Sequence, residues 1–202
     1  MITIIDYGMG NLGSIKNMFK YIGVEAVIQS DVDKIKNASK ILLPGVGSFD
    51  TAMKKINETD LREVLNEKAL KEQVPVLGIC LGMQLLTNSS EEGILNGLGW
   101  IDAKTMSFKE RIVKKYRIPH MGWNIVHKSN ESLLTDGFEE TRFYFVHSYF
   151  VKVVDEKNSI LKTNYGVEFD SAIQKNNIYG AQFHPEKSHK FGMKLFENFA
   201  RI

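Results

Sequence analysis

The sequence predicts one α/β domain with a mixed, largely parallel sheet and helices on both of its faces. Short apolar runs alternate with helical periodicity through the first half of the chain, and this alternation is typical of parallel strands joined by helices. The second half contains closely spaced strand-like runs, which indicates hairpins and antiparallel pairing. At 202 residues, the chain suits a single domain that buries roughly 70% of the surface its unfolded form exposes.

The strands predicted in the first half are four short apolar runs at 2–5, 26–29, 40–43 and 74–79. The first helix lies between the first two runs, where Leu12, Ile15 and Phe19 recur on one face before Gly23. A second helix is predicted from Leu61 through the LNEKALKEQ stretch, which leads to the fourth run. Strand and helix therefore alternate up to the fourth strand.

The strands predicted in the second half are the runs 142–153, 159–165, 168–174 and 178–183. Because short turns connect these runs, part of the sheet is predicted to be antiparallel. The chain closes with a predicted helix over 190–202, in which Met193, Phe196 and Phe199 keep helical spacing. No long flexible linker separates the elements, so 1–202 is predicted to fold as one domain.

Composition and charge argue against several classes of function. Lys and Arg number 26 against 24 Asp and Glu, which gives a formal charge of +2 and no electrostatic footprint for nucleic acid or an anionic membrane. No apolar run reaches the ~18 residues that a membrane-spanning helix needs, and the N-terminus lacks the pattern of a signal peptide. We therefore expect a cytoplasmic protein with no nucleic-acid or membrane partner.

The segment DYGMGNLGS places Gly8, Gly10 and Gly13 in the G-x-G-x-x-G spacing of a dinucleotide-binding turn. Asp31 follows at the end of the second predicted strand, where such proteins bind the ribose. Asp6, however, would place a carboxylate beside the bound pyrophosphate, and the two negative charges would repel. A dinucleotide-binding oxidoreductase is thus an alternative to a glycine-rich turn that only joins strand to helix.

A second motif, VPVLGICLGMQLL, contains the only cysteine of the chain. Here a strand-like run leads into G-I-C-L-G, which is the nucleophile-elbow pattern G-x-S-x-G with sulfur in place of oxygen. The elbow holds its nucleophile in a strained conformation at the end of the strand, and the flanking glycines avoid clashes with neighbouring backbone. Cys80 is therefore either a small apolar core residue or a reactive nucleophile.

A general base for Cys80 is offered by YGAQFHPEKS, in which Pro185 separates His184 from Glu186. Residues two apart in an extended chain point in the same direction, so the carboxylate of Glu186 can orient and stabilise the imidazole of His184. The pattern predicts a relay of cysteine, histidine and glutamate for nucleophilic catalysis. Such partners meet in space rather than along the chain.

Acyl transfer at a cysteine also needs donors for the oxyanion that develops on the substrate. One candidate is the backbone N–H of Leu81, which follows the nucleophile at the start of a helix. Another lies in LLPGVGSF, where glycines on both sides of Val46 allow the backbone at Val46 and Gly47 to change orientation. A plain glycine turn after a strand is the competing interpretation of this loop.

Together these motifs resemble those of class I glutamine amidotransferases, and within them most closely the HisH family of glutaminase subunits. The match spans nearly the whole chain, since DYGMGNL, LLPGVGSF, GICLGMQLL, SSEEG, IPHMGWN, FYFVHSYF and QFHPEKS occur in the family's order. The resemblance implies a flavodoxin-like, doubly wound α/β fold, in which the opening glycines belong to the first turn from strand to helix. It implies no cofactor and no metal.

The family motifs also suggest roles for the residues at matching positions. Cys80 would be the nucleophile, His184 the general base and then acid, and Glu186 the residue that orients His184. The further matched positions are an oxyanion loop at Gly47, glutamine contacts at Gln84, Glu92, Ser148 and Tyr149, a position near the partner interface at Lys187, and a stretch of structural or interface character at 121–124. Among the glutamine contacts, Glu92 would meet the α-ammonium group, and the backbone of Ser148 and Tyr149 would meet the α-carboxylate.

The resemblance further implies a protein partner, because free ammonia would protonate and diffuse away, and the family passes it to a synthase internally. The expected partner is a cyclase subunit of the HisF type, a (βα)8 barrel, in a heterodimer that serves histidine biosynthesis. Reorientation of an amide in 45–47 would couple docking of that partner to oxyanion stabilisation. The alternatives are a HisH-like glutaminase for another acceptor, such as surface-polysaccharide sugar amidination, and a binding subunit without chemistry.

Overall fold

The computed structural model describes residues 1–113, 115–139 and 141–202. Its helices are α1 Leu12–Tyr21, α2 Val32–Ile35, α3 Phe49–Asn57, α4 Leu61–Asn66, α5 Leu81–Leu85 and α6 His189–Arg201, and a π-helical turn over Glu67–Lys71 continues α4. Its strands are β1 Ile2–Ile5, β2 Ala26–Gln29, β3 Ile41–Leu43, β4 Val76–Ile79, β5 Ser89–Ser90, β6 Ala103–Ser107, β7 His120–Ile125, β8 His127–Lys128, β9 Arg142–His147, β10 Tyr149–Val153, β11 Ser159–Asn164, β12 Glu168–Lys175 and β13 Ile178–Ala181. Within the described ranges, every helix is too short or too polar to span a membrane.

The parallel part of the main sheet contains β2, β1, β3, β4 and β13, side by side in that order. This is the 2-1-3-4-5 order of flavodoxin-like folds. Beyond β13 the sheet continues through the antiparallel strands β12, β10 and β6, while β7 and β9 pair in a separate two-stranded sheet. The predicted α/β fold with a mixed sheet is therefore confirmed.

Predicted and observed strands agree closely in the parallel part of the sheet and less well in the antiparallel part. β1 and β2 have the predicted bounds, and β3 and β4 start slightly later than predicted, at Ile41 and Val76. The prediction of one strand over 142–153 is wrong, because β9 and β10 belong to different sheets and the chain passes between them at Ser148. The sequence also fails to predict β6 and β7, whose polar residues obscure the alternation of buried and exposed positions.

Two groups of buried side chains fill the spaces between the main sheet and its helices. On one face α1 and α6 meet through Phe19 and Phe196, whose ring centroids lie 4.4 Å apart. On the other face, α3 and α4 contribute buried residues that include Phe49, Met53 and Leu65. Because both faces are covered, β1, β3 and β4 consist of buried residues throughout, as parallel strands between two helical layers usually do.

Glycine allows α5 to pack closely against the end of β3. A Cβ atom on Gly82 would lie 1.9 Å from the Leu43 carbonyl oxygen, whereas a Cβ atom on Gly13 in α1 would have nothing within 4 Å. In dinucleotide-binding folds, the third glycine of the fingerprint serves close packing of helix on strand. Gly13 has no such role here, so the packing does not support the dinucleotide-binding alternative.

We expect G82A to lower the free energy of unfolding by about 3 kcal/mol, because the added methyl group must displace backbone. The matched variant G13A should raise it by up to about 1 kcal/mol, since alanine favours an exposed helical position and meets no atom there. Urea denaturation of both variants measures the difference. Equal losses of stability in G82A and G13A would contradict this account of the packing.

Candidate active site

Cys80 lies at the junction of β4 and α5 in a backbone conformation that side chains rarely adopt. Its φ is 54° and its ψ is −111°, and holding a non-glycine residue in such a region costs about 1–3 kcal/mol. The N–H of Cys80 donates to the Ala181 carbonyl oxygen at 2.7 Å, which ties the elbow to the end of β13. The structure thus contains the strained nucleophile elbow that the glycine spacing predicts.

His184 follows β13 and lies beside Cys80, because β13 is the neighbour of β4 in the sheet. Its Nδ1 atom lies 2.7 Å from Oε1 of Glu186, and both side chains are buried. This contact leaves Nε2 unengaged, and Nε2 makes no hydrogen bond among the described residues. Burial lowers the pKa of His184, but the nearby sulfur of Cys80 and the hydrogen bond and charge of Glu186 outweigh burial and raise the pKa well above its ordinary value.

The route by which Glu186 reaches His184 differs from the prediction. The expectation that both residues lie on extended backbone is wrong, because Pro185–Lys187 forms a 3-10 turn. The turn brings the carboxylate back toward the imidazole, and proline is well suited to its first position because it has no N–H to leave unpaired. The contact between the two side chains is nevertheless the one that the H-P-E motif indicates.

Cys80 and His184 line a cavity of about 380 Å³. Its wall also contains every other predicted oxyanion and glutamine-binding residue and Lys187, but not Glu186 or 121–124; these lining residues are Val46, Gly47, Leu81, Gln84, Glu92, Ser148, Tyr149 and Lys187. The lining residues that the sequence did not suggest are Pro119, Val146 and His147. A larger cavity of about 940 Å³ lies around Val126 and Phe191, and its described lining residues include none of those predicted.

The loop after β3 packs tightly against the elbow. A Cβ atom on Gly45 would lie 3.0 Å from Cβ of Leu81 and 3.1 Å from the backbone nitrogen of Gly82, so glycine permits this approach. Gly47 has a φ of 111°, in the region that favours glycine. Leu81 is the first residue of α5, and its N–H therefore has no acceptor within the helix. Val46, Gly47 and Leu81 thus line one cavity, and backbone N–H groups are the kind of donor that stabilises an oxyanion.

The segment after β1 supports this loop. The Tyr7 hydroxyl donates to the Pro44 carbonyl oxygen at 2.7 Å, and a Cβ atom on Gly10 would lie 3.3 Å from Cβ of Pro44. The carboxylates of Asp6 and Asp31 accept N–H groups from their own turns. The opening glycines therefore serve a turn that packs under the candidate oxyanion loop, and sequence reasoning missed the contribution of Tyr7.

Glu92 connects the cavity to the start of α3. Its Oε2 atom accepts the N–H of Phe49 at 3.0 Å, while Ser48, the N-cap residue of α3, makes no side-chain capping hydrogen bond. The carboxylate thus takes the place of a cap. Burial raises the pKa of Glu92, the hydrogen bond from Phe49 opposes this rise, and the nearby charge of Asp50 adds to it.

Gln84 and Gln182 form a buried pair of amides beside Cys80. Nε2 of Gln84 donates to the Tyr149 carbonyl oxygen at 3.2 Å and to Oε1 of Gln182 at 3.1 Å, which leaves Oε1 of Gln84 for a ligand. Nε2 of Gln182 donates to Sγ of Cys80 at 3.8 Å. Sequence reasoning missed Gln182, although it lies two residues before His184, at the end of a run predicted to be extended.

An exposed apolar surface lies on β7. Met121, Trp123 and Ile125 alternate along β7 with exposed fractions of 60%, 42% and 55%, and we call them the β7 face. Trp123 pairs with Tyr144 of β9, and the Tyr144 ring lies under the ammonium group of Lys187 at 5.8 Å. Contiguous exposed apolar side chains of this kind mark interaction surfaces.

The arrangement has the parts required for acyl transfer from an amide or ester. These are a cysteine at an elbow, an imidazole oriented by a buried carboxylate, and backbone amides beside the thiol. In the part of the chain that the structure describes, no group of three His, Cys, Asp or Glu residues is arranged to hold a metal ion. The elbow, the oriented imidazole and the neighbouring amides together favour covalent catalysis by Cys80.

Comparisons with known proteins agree with this chemistry. The family model "Glutamine amidotransferase class-I" matches residues 3–202. The chain is 59% identical over 202 residues to imidazole glycerol phosphate synthase subunit HisH 2 of Methanococcus maripaludis, with 100% of this chain and 99% of that protein covered. It is 47% identical over 208 residues to the HisH subunit of Bdellovibrio bacteriovorus, with 100% of both covered.

Solved structures show the same fold at lower identity. The structure of PurLQS from Thermotoga maritima matches with a TM-score of 0.75 at 18% identity, covering 99% of this chain and 97% of that one. A crystal structure described as a glutamine amidotransferase matches with a TM-score of 0.75 at 16% identity and covers 100% of both chains. At these identities the comparison establishes the architecture alone.

We expect C80G to be more stable than C80A by about 1 kcal/mol, because both remove the thiol and only glycine relieves the positive φ. Chemical denaturation of the two variants measures this difference. Both should also lose reaction with a thiol-directed alkylating reagent, which serves as their common control. Equal stability of C80G and C80A would show that the elbow stores no strain.

Proposed function

Because the chain belongs to the class I glutamine amidotransferase family, we propose that it is the glutaminase subunit of an imidazole glycerol phosphate synthase. The chain is a glutamine amidotransferase of HisH type, since relatives at 59%, 47% and 46% identity over its full length are HisH subunits of that synthase. Its reaction is hydrolysis of glutamine to glutamate and ammonia in histidine biosynthesis. The observation that carries the proposed mechanism is the convergence of the thiol, the buried imidazole and the loop at 44–47 on one cavity.

In the proposed mechanism, Nε2 of His184 takes the proton of Cys80, and the thiolate attacks the side-chain amide carbon of glutamine. The N–H of Leu81 and an amide at 46–47 stabilise the oxyanion of the tetrahedral intermediate. His184 then gives its proton to the departing nitrogen, so ammonia leaves and a thioester remains on Cys80. Water, deprotonated by His184, hydrolyses the thioester to glutamate and restores the thiol.

Glu186 keeps His184 suited to both proton transfers. Its hydrogen bond at Nδ1 fixes the ring orientation and leaves Nε2 free to accept the thiol proton. The carboxylate also stabilises the imidazolium that forms when the thiolate is produced. This stabilisation is consistent with the raised pKa of His184, because a higher pKa favours the transfer of a proton from sulfur to nitrogen.

The remaining lining residues would hold the amino-acid end of glutamine. Glu92 offers a carboxylate oxygen for the α-ammonium group, and the backbone N–H groups at Ser148 and Tyr149 suit the α-carboxylate. Oε1 of Gln84, whose nitrogen is already engaged, can accept a hydrogen bond from the ligand. Binding groups at both ends of the cavity would distinguish glutamine from shorter amides.

Ammonia from this reaction would pass to a partner subunit of the HisF type, a (βα)8 barrel, in a heterodimer. Lys187 lines the glutamine cavity, and its ammonium group lies over the ring of Tyr144, the cross-strand neighbour of Trp123 in the β7 face, so a subunit that covers both would also enclose the departing ammonia. Interfaces combine exposed aromatic and apolar residues with a charged rim, and Trp123 beside Lys187 fits that composition. Docking there would also contact the loop at 44–47 and bias the orientation of its amides.

We expect diazo-oxo-norleucine, a glutamine-like electrophile, to label Cys80 of the wild-type chain stoichiometrically and to label C80A not at all. Excess glutamine should protect the thiol, because both molecules occupy one cavity. Release of glutamate by the complex with its partner should fall at least about 1,000-fold in C80A, because the nucleophile is lost. Labelling of wild type that glutamine fails to slow would contradict a glutaminase site.

We expect W123A to weaken binding of the partner subunit about 30-fold, since tryptophan at the centre of an interface contributes 2 kcal/mol or more. The matched control is Y21A, which removes an aromatic side chain that is 77% exposed at the end of α1. Calorimetric titration measures affinity, and a glutaminase assay at each point measures activation. Equal affinities of W123A and Y21A would refute the docking surface, and an equal rate with and without partner would refute the coupling through 44–47.

A further inference from the structure

Two buried histidines lie beside the candidate active site and take no part in the mechanism proposed above. His147, the last residue of β9, lines the cavity, and it faces His120 of β7 in the antiparallel register. Their exposed fractions are 6% and 2%. Polar atoms buried this deeply need hydrogen-bond partners, because an unpaired one is costly.

The hydrogen bonds around the pair determine where each ring carries its proton. Nδ1 of His147 lies 2.7 Å from the Tyr149 carbonyl oxygen, and since a carbonyl only accepts, this nitrogen is the donor. In a neutral imidazole the other nitrogen is then an acceptor. Nε2 of His147 lies 2.9 Å from Nδ1 of His120, so Nδ1 of His120 carries the proton of that ring.

These contacts form a series of hydrogen bonds from His120 through His147 to the Tyr149 carbonyl. Asn124 of β7 makes the contact at the His120 end of this series. Its Nδ2 atom lies 3.3 Å from Nε2 of His120 and donates to the Asn164 carbonyl oxygen at 3.0 Å, while its Oδ1 accepts the N–H of Ile125 at 2.8 Å. These backbone contacts settle which side of the amide is the nitrogen. All the donors therefore point the same way, from Asn124 through the two rings to the Tyr149 carbonyl.

Burial keeps both rings neutral, which the series requires. It lowers the pKa of His120 to about 4, and burial followed by the charge of His120 lowers the pKa of His147 to about 3. A proton added to either ring would turn an acceptor into a second donor and break the series. The pair is thus stable as two neutral rings, with His120 donating its hydrogen bond to His147.

The Tyr149 carbonyl is also the point at which the series reaches the catalytic centre. Gln84 donates to the same oxygen and to Gln182, whose amide nitrogen donates to Sγ of Cys80. Both amide side chains are buried. A rotation of the peptide group that carries this oxygen would therefore have two effects. It would disturb the adjoining backbone at 148–149, and it would disturb the pair formed by Gln84 and Gln182 beside the thiol.

We propose that His147 and His120 are positioning residues that act through the Tyr149 carbonyl. They hold the backbone at 148–149, which forms one wall of the glutamine site, and they keep Gln84 in position beside Cys80. The proposal rests on the glutaminase function proposed above, because that function gives the wall its ligand. Neither ring needs to touch the reacting atoms, so the effect falls on glutamine binding more than on the chemical step. Because the series starts on the strand that carries the β7 face, it also joins the docking surface to the glutamine site.

Substitutions of His120 test the proposal in the complex with the partner subunit. In H120N the amide nitrogen can occupy the place of Nδ1 and still donate to His147, whereas H120Q places its amide near Nε2 and loses that donor. We expect H120Q to raise the KM for glutamine about tenfold, the effect of one lost buried hydrogen bond, with kcat changed less than about twofold. H120N should show only a small part of this increase in KM. H127Q, at an exposed position on β8, should have the KM of wild type.

Nitrogen NMR of the histidine rings provides a test that does not depend on activity or on any variant. Between pH 6 and 8, His120 and His147 of the wild-type chain should both be neutral with the proton on Nδ1. A proton on Nε2, or a charge on either ring, would overturn the proposal. Equal KM values for H120Q and H120N, measured in active enzymes, would also overturn it. Failure of the wild-type complex to hydrolyse glutamine would instead refute the proposed function.

Discussion

The position of β4 between β3 and β13 is the constraint on which the candidate site depends. All three strands run in the same direction, so their carboxyl ends meet at one edge of the sheet, where doubly wound folds bind their ligands. β3 leads into the loop at 44–47, β4 into Cys80 and β13 into His184. The thiol and the imidazole are distant in sequence, and the order of the strands alone makes them neighbours.

Local patterns in the sequence were sufficient to predict much of this framework. Buried parallel strands produce continuous apolar runs, the elbow at Cys80 requires small neighbours, and a carboxylate two residues from His184 stays within reach of the ring. The comparisons confirm the family and the mixed α/β fold. The roles assigned to individual site residues stay predictions, although the structure places nearly all of them around one cavity.

The features that the sequence did not reveal depend on contacts between distant segments. The hydrogen bond from Tyr7 to Pro44 links residues 37 positions apart, and the pairing of His120 with His147 follows from the register of two strands in the smaller sheet. No local periodicity encodes such a register. The change of sheet at Ser148 is hidden for the same reason, because a continuous β-rich run does not show where its hydrogen-bonding partner changes.

The apolar face of β7 has a consequence for how a cell must make this protein. β7 is an edge strand, because its sheet contains only β7 and β9, and an uncovered edge strand with large apolar side chains promotes association with other chains. Copies synthesised in excess of whatever covers that face would be prone to aggregation and to capture by chaperones. Synthesis of this chain in amounts that match those of the molecule covering the β7 face would prevent such aggregation.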